Sequence, residues 1–361
     1  EGTGLRFKNR GVQGMAQKIL SVSIYTTSAK LSVISKSGKK ISVYSCYDVQ
    51  IPEGICDDGV ILDVDALAQV LKHYITNYRI KTKKVIFSIA SKRIASKEVV
   101  IPFVKEIQIK NIIKVNAPEY FPVSNIDDYV LNYSIIEIVK TETTAQYRMN
   151  VTATPNDLLL SYTELAEALK YDIYTVDYAG NAILQLLKYE AVPGEICAIL
   201  QLGYEHTVIN LMNGPVQVMQ RTVSTGLNTL IAAVCDNVGL NEEDAVAFLE
   251  DNDIGRIASA YPDVKYVLDN FISSITRIFA FYNGRSDAHP ITLVKFIGDA
   301  TFINGLGENL ADGLGYHTEE ILTLKSVQVK SKTLTPEHAT NFMANIGTLV
   351  APMGLKCEEK A

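Results

Sequence analysis

One order of segments occurs twice in this chain, and that repetition restricts the fold more than any single motif does. In the first half, QKILSVSI (17–24), SAKLSVIS (28–35) and KISVYSCYD (40–48) alternate apolar and polar residues and are separated by short turn signals such as SKSGKK. They read as three strands. DVDALAQVLKHYITNY (63–78) follows, with Leu67, Val70, Leu71 and Tyr74 on one helical face, and then a strand, KKVIFSIA (83–90). The second half repeats the theme. GEICAILQLG (194–203), HTVINLMNG (206–214) and PVQVMQRTV (215–223) read as three more strands. The helical segments TGLNTLIAAVCDNV, NEEDAVAFLEDN and 260–283 come next, then the strand ITLVKFIG (291–298) and the helix GLGENLADGL. Three strands, helix, strand, helix, twice over, predicts two lobes facing a cleft, the usual ligand position in a two-lobed protein.

Between the halves lies added material. KEIQIKNIIKVNAPEYFP (105–122) predicts a helix ending before Pro122. YVLNYSIIEIV (129–139) and AQYRMNVTAT (145–154) predict a strand pair, and PNDLLLSYTELAEALK an amphipathic helix with Pro155 at its start. YDIYTVDYA then predicts a strand running into the helix GNAILQLLKYE. Residues of about 100–170 are therefore expected to form a small α/β subdomain inserted into a first lobe of 15–190, with a second lobe at 191–361. Residues 1–14 are polar, Gly-rich and unpatterned, and read as appended sequence ahead of a natural start at Met15.

Composition removes several classes of function. At 361 residues the chain is long for one core, and its 47% apolar content excludes global disorder. Net charge is -6 with both signs interspersed, which argues against a nucleic-acid surface. The five cysteines and five histidines are scattered without metal-ligand spacing, so reduced thiols and no metal centre are expected. No apolar run reaches the length of a membrane span, and no GxSxG elbow appears. The run Glu242-Glu243-Asp244 after Asn241 reads as a helix N-terminus rather than a catalytic carboxylate pair.

Several stretches, in order along nearly the whole chain from Met15, resemble the type IV pilus assembly protein PilM family. They are APEYFPVSNIDDYVLNY (Ala117, Tyr120, Pro122, Asp128, Tyr133), TVDYAGNAILQLL (175–187), GYEHTVINLMNGPVQVMQRTVSTGLNTL (203–230), ITRIFAFY (275–282) and FIGDATFINGL (296–306). The related cell-division protein FtsA is the nearest competitor. The resemblance implies a duplicated actin-like (ribonuclease H-like) α/β fold, two lobes around a cleft that often holds ATP or ADP. It further implies an adaptor on the cytoplasmic face of the inner membrane. Such an adaptor binds the N-terminal cytoplasmic peptide of a PilN-like membrane protein and links it to the pilus motor complex.

By the same resemblance, the nucleotide would meet Thr26, Thr27 and Lys30 in the first hairpin and Gly203, Gly226 and Asn228 in the second. Glu242, with Glu243, Arg277 and Gly298 would frame the nucleoside. Ser23 and Gln201 stand where the family carries carboxylates, and neither supplies the charge that Mg²⁺ favours. Tyr25 replaces a glycine, at a cost of roughly 1–2 kcal/mol if the turn is left-handed. A non-enzymatic adaptor is therefore expected. The alternatives are a nucleotide-switched ATPase scaffold and an FtsA-like filament former. Tyr120, Phe121, Pro122 and Tyr174 are the expected wall of a peptide groove, and Tyr129, Tyr133, Tyr171 and Tyr178 are further aromatic candidates. EHATNFMANIGTLVAPM (337–353) is expected to be a helix packed on the second lobe. The tail ends acidic, against direct membrane insertion.

Overall fold

In the computed structural model, which describes residues 17–123, 125–140, 144–285, 289–331 and 333–350, the period-2 pattern of the first strand decides its two faces. Leu20, Val22 and Ile24 of β1 (Ile19–Ile24) enter one apolar core, while Ser21 and Ser23 alternate with them and are equally buried. β1 is followed by β2 (Ser28–Ser37) and β3 (Lys40–Gln50), an antiparallel meander. A tight hairpin, β4 (Cys56–Asp57) and β5 (Val60–Ile61), turns through Asp58 and Gly59, both at positive φ. Asp63 caps α1 (Val64–Asn77), and β6 (Lys84–Ile89) then joins β1 in parallel.

The added material comes next: β7 (Ala95–Pro102), α2 (Glu106–Tyr120), β8 (Tyr129–Lys140) and β9 (Ala145–Pro155). These three strands form their own sheet in the order β7-β9-β8, with α2 packed through Ile109 and Ile113 onto Val99, Ile101, Met149 and Val151. α3 (Asn156–Leu169), β10 (Asp172–Tyr178) and α4 (Ala179–Glu190) return to the first sheet. Contrary to the expectation from sequence, α3 is not part of the insert. Leu158, Leu159, Tyr162 and Leu165 bury it against α1 and the first sheet. β7, for which the sequence reading names no element, is an edge strand, and α2 runs through Pro118 to Tyr120.

The second half contains β11 (Ile196–Leu202), β12 (Thr207–Asn213) and β13 (Val216–Val223). Four helices follow: α5 (Leu227–Val234), α6 (Glu242–Asp251), α7 (Ile254–Ala260) and α8 (Pro262–Asn283). β14 (Leu293–Gly298), α9 (Leu306–Leu314) and β15 (Thr318–Glu320) complete it. β16 (Val327–Val329), α10 (Pro336–Thr340) and α11 (Met343–Gly347) end the described chain.

Two sheets now show the duplication. The first runs β3-β2-β1-β6-β10 and the second β13-β12-β11-β14-β15. In each, the first three strands are antiparallel and the next two join in parallel. Contacts divide the chain into one unit reaching Tyr189 and resuming at Lys325, and a second of Glu190–Leu324. The expected second lobe of 191–361 is thus shortened at its end. β16 pairs with β3, and α11 packs on β1, β2 and β6, all in the first unit. The single helix expected over 337–353 is two short ones over its described part, because Phe342 leaves helical geometry between them. Residues 1–14, Met15 and the acidic tail beyond 350 lie outside the described residues.

Candidate functional site

Strand register places Lys30, Ser23, Ser88 and Asp177 side by side across β2, β1, β6 and β10, on one face of the first sheet. Three of them sit toward the C-terminal ends of parallel strands, where open α/β sheets bind ligands. Here the end of the chain covers part of the row. Ser23 Oγ donates to Asn345 Oδ1 at 3.0 Å, and Asn345 Nδ2 donates to the carbonyls of Ser21 (3.1 Å) and Lys30 (2.9 Å). Lys30 Nζ donates to the carbonyl of Asn341 at 3.1 Å. Ser88 Oγ is fully buried and has no hydrogen-bond partner.

The first hairpin closes through Tyr25 N–H to the Ser28 carbonyl at 2.8 Å. Tyr25 keeps a negative φ, so the left-handed penalty weighed from sequence does not arise. Thr26 and Thr27 are exposed, and Thr26 Oγ1 accepts the Asp58 N–H at 3.3 Å. Asp58 itself accepts the Lys92 N–H (2.8 Å) and Ser91 Oγ–H (3.3 Å), which fastens the β4–β5 hairpin beside Thr26. That places a carboxylate next to the threonines expected to hold phosphate.

In the second unit, the turn after β11 converges with the starts of α5 and α6. Leu227 N–H donates to the Gly203 carbonyl (3.0 Å) and Asn228 N–H to that of Tyr204 (2.8 Å). A Cβ on Gly226 would lie 2.4 Å from the Tyr204 oxygen, so only glycine lets this helix start against the turn. Burial pushes the Tyr204 phenol up, and the negative charges of Glu242 and Glu205 nearby push it further. Gly298 ends β14 at φ +116, where a Cβ would lie 2.4 Å from the Leu202 oxygen. Arg277 stands apart from this junction: on α8 it bonds Ser274 Oγ at 3.0 Å, on an exposed face.

An ATP or ADP cradle needs free N–H groups or cations. At these positions the Leu227 and Asn228 N–H groups donate to turn carbonyls, and Lys30 Nζ gives one of its three N–H donors to the Asn341 carbonyl.

The described surface of the first unit holds a different concavity. It is a crevice of mixed lining with about 30 Å³ of free space, between the outer face of the insert's sheet and the end of β10 with α4, with Ile89, Ile94, Leu159 and Val176 as its apolar part. Asn132, Ser134, Asn150 and Thr152 line it from β8 and β9; Asp177, Tyr178 and Asn181 line it from β10 and α4. Asp177 is 7% exposed. Its Oδ1 accepts the Tyr178 N–H at 2.8 Å and the Asn181 Nδ2–H at 3.1 Å. Burial drives its pKa up to about 7, against the lowering effect of those two hydrogen bonds. Burial also raises Tyr178, which the negative charge of Asp177 raises further, so its phenol is neutral.

The expected groove wall is placed elsewhere. Phe121 is 2% exposed in the core of the insert, on the α2 side of its sheet, with Tyr120 packed partly against the same core. Pro122 is exposed beyond the helix end. Tyr174 lies nearer the start of β10, with Lys84 Nζ 5.6 Å from its ring centroid. Of the aromatic candidates, Tyr133 and Tyr178 line the crevice. Asp177, Asn181, Asn341 and Asn345 were not singled out from sequence. Asp177 and Asn181 lie within TVDYAGNAILQLL, where a carboxylate between Val176 and Tyr178 at a strand end was the available signal.

The architecture and the sequence were compared with known proteins. A solved structure of a "PilM-PilN type IV pilus biogenesis complex" superposes with a TM-score of 0.76 at 18% identity, covering 93% of this chain and 98% of the other. The ethanolamine utilization protein EutJ from Carboxydothermus hydrogenoformans superposes at 0.52 and 11% identity, covering 96% of this chain and 92% of that one. These likenesses establish the actin-like α/β fold. Among curated protein sequences, none matches. The family description "Type IV pilus assembly protein PilM" matches residues 21–351, the repeat and the insert together. The chain belongs to the type IV pilus assembly protein PilM family.

Proposed function

We propose that the chain is a non-enzymatic adaptor of type IV pilus assembly, holding the cytoplasmic N-terminal segment of a PilN-like membrane protein over the crevice between the insert's sheet and β10–α4. The carrying observation is the crevice itself, whose free space of about 30 Å³ suits one anchoring side-chain head of an extended segment that lies across its mouth. The partner's identity is supported by family membership and by the likeness to the PilM-PilN complex. In this reading the protein works at the inner face of the cytoplasmic membrane and passes the contact on to the pilus motor complex. No helix among the described residues is long and apolar enough to cross a membrane, so attachment runs through the partner.

Calorimetry with the partner's cytoplasmic segment tests the reading. Thr152→Trp, which fills the crevice from β9, should weaken binding at least tenfold, about 1.4 kcal/mol, with the far-ultraviolet dichroism unchanged. Undiminished affinity in that variant overturns the site. A nucleotide is a second, weaker reading, favoured by Gly203, Gly226 and Gly298, which hold the strand ends and the start of α5 in close backbone contact. Mg-ATP titration reads it directly. Heat of binding would add a ligand to the adaptor, and steady phosphate release would overturn the non-enzymatic assignment.

A further inference from the structure

Asp177 is a carboxylate that the fold buries without a counter-charge. Among the described residues no Lys, Arg or His pairs with it. The one side-chain donor on it, Asn181 Nδ2, spans both oxygens at 3.1 and 3.3 Å, and the Tyr178 N–H takes Oδ1 at 2.8 Å. A carboxylate offers about four acceptor positions, so part of Oδ2 is left toward the crevice. Burying such a group unpaired is costly, and natural structures compensate it with a cation or a proton.

The surroundings decide between cations. No cluster of three or more acidic, His or Cys side chains is present among the described residues, so a divalent metal has too few ligands. The free space of about 30 Å³ suits a compact ammonium better than a broad guanidinium. Ser134 and Thr152 offer hydroxyl oxygens to a cation, and Asn132 and Asn150 offer amide oxygens. The groups facing Asp177 across the crevice from β8, β9 and α4 are amides and hydroxyls, Ile89, Ile94 and Leu159 add apolar wall, and none carries positive charge.

We infer that the crevice is a receptor for one primary ammonium head, which enters on an aliphatic stem and pairs with the Asp177 carboxylate. Resting on the adaptor reading, this identifies the partner's anchoring group as a lysine side chain or free amine seated at Asp177. Free ammonium or K⁺ shares the chemistry but lacks the stem. Binding draws Asp177 into its ionised form, so uptake of the head releases a proton below about neutral pH.

The test uses the full chain, labelled on asparagine side-chain amides, with n-butylammonium chloride as probe. Saturable shifts of the Asn181 and Asn132 amide signals are expected with n-butylammonium, and at most a tenth of the affinity with ammonium chloride or KCl. Asp177→Asn, an isosteric change whose folding is checked by its melting temperature, should abolish them. Equal response to neutral butyramide, or unchanged response in Asp177→Asn, overturns the inference, as does silence from n-butylammonium. The partner segment separates this from the adaptor reading. A segment bound equally by both proteins removes the ammonium receptor and leaves the adaptor standing. A segment bound by neither, with n-butylammonium still bound, removes the adaptor and leaves the receptor.

Discussion

Gly298 and Asp177 show how single residues hold the two sheets at their ligand-facing ends. Gly298 combines a left-handed φ of +116 with a Cβ position 2.4 Å from the Leu202 oxygen. Gly298→Ala should therefore lower stability by about 2–3 kcal/mol, read from a denaturation midpoint, since strain and overlap act together. At Asp177 the sign follows from protonation. Its folded pKa of about 7 lies above the unfolded value near 3.9, so the native state holds the proton over that interval. The stabilisation this gives is complete at the acid end and is lost as pH rises through about 7. Asp177→Asn removes the effect. Its stability advantage over the parent should grow from about pH 4 to pH 7, to a few kcal/mol at most, and then level off. A constant difference across that range would refute the buried-acid account. Two thiols are inert by the same physics: burial pushes Cys46 and Cys197 up to about 12.

Among the elements, α11 carries the densest polar contacts. Asn345 is fully buried and satisfies Ser23 Oγ and two strand carbonyls, while Thr348 Oγ1 sits 3.5 Å from Ser21 Oγ. Asn345→Ala leaves those groups unpaired and should cost about 2 kcal/mol or more, against under about 0.5 kcal/mol for an exposed control such as Glu337→Ala. Gly347 reinforces the docking, because a Cβ there would lie 2.0 Å from the Ala182 oxygen of α4.

The same elements show what the sequence can tell. β1, β2, α1 and α8 were legible because each has a long run of one period with a buried face. The β4–β5 hairpin escaped although Asp58-Gly59 is a strong turn signal, because two-residue strands have no period to read. α3 misled because an amphipathic stripe states that a face is buried and not against what. At the candidate site, Thr26 and Lys30 were readable as residue types, whereas their partners Asp58 and Asn341 come from 32 and 311 residues away. Long-range pairing of that kind has no local signature.

At the scale of the molecule, the second unit is an uninterrupted stretch, Glu190–Leu324, while the first is completed only by residues from Lys325 onward. The second unit has a large core of its own, including Val234, Ile254, Val264, Ile275 and Val294. A chain ending after Leu324 should therefore keep a cooperative melting transition from the second unit. It should lose the first unit's transition or move it down by several degrees, measured by calorimetry and assigned by proteolysis. Two unchanged transitions would mean that α11 and β16 contribute nothing.

This chain order also dictates when each part can mature on the ribosome. The stretch with contiguous ends can close its core as soon as it clears the exit tunnel. Its neighbour, begun earlier, must wait with Ser21, Ser23 and Ser88 uncovered until residues 325–347 arrive, roughly a few seconds later at bacterial elongation rates. The first-made half is thus the last to be sealed, and a truncated product would present that unsealed seryl face to chaperones and proteases.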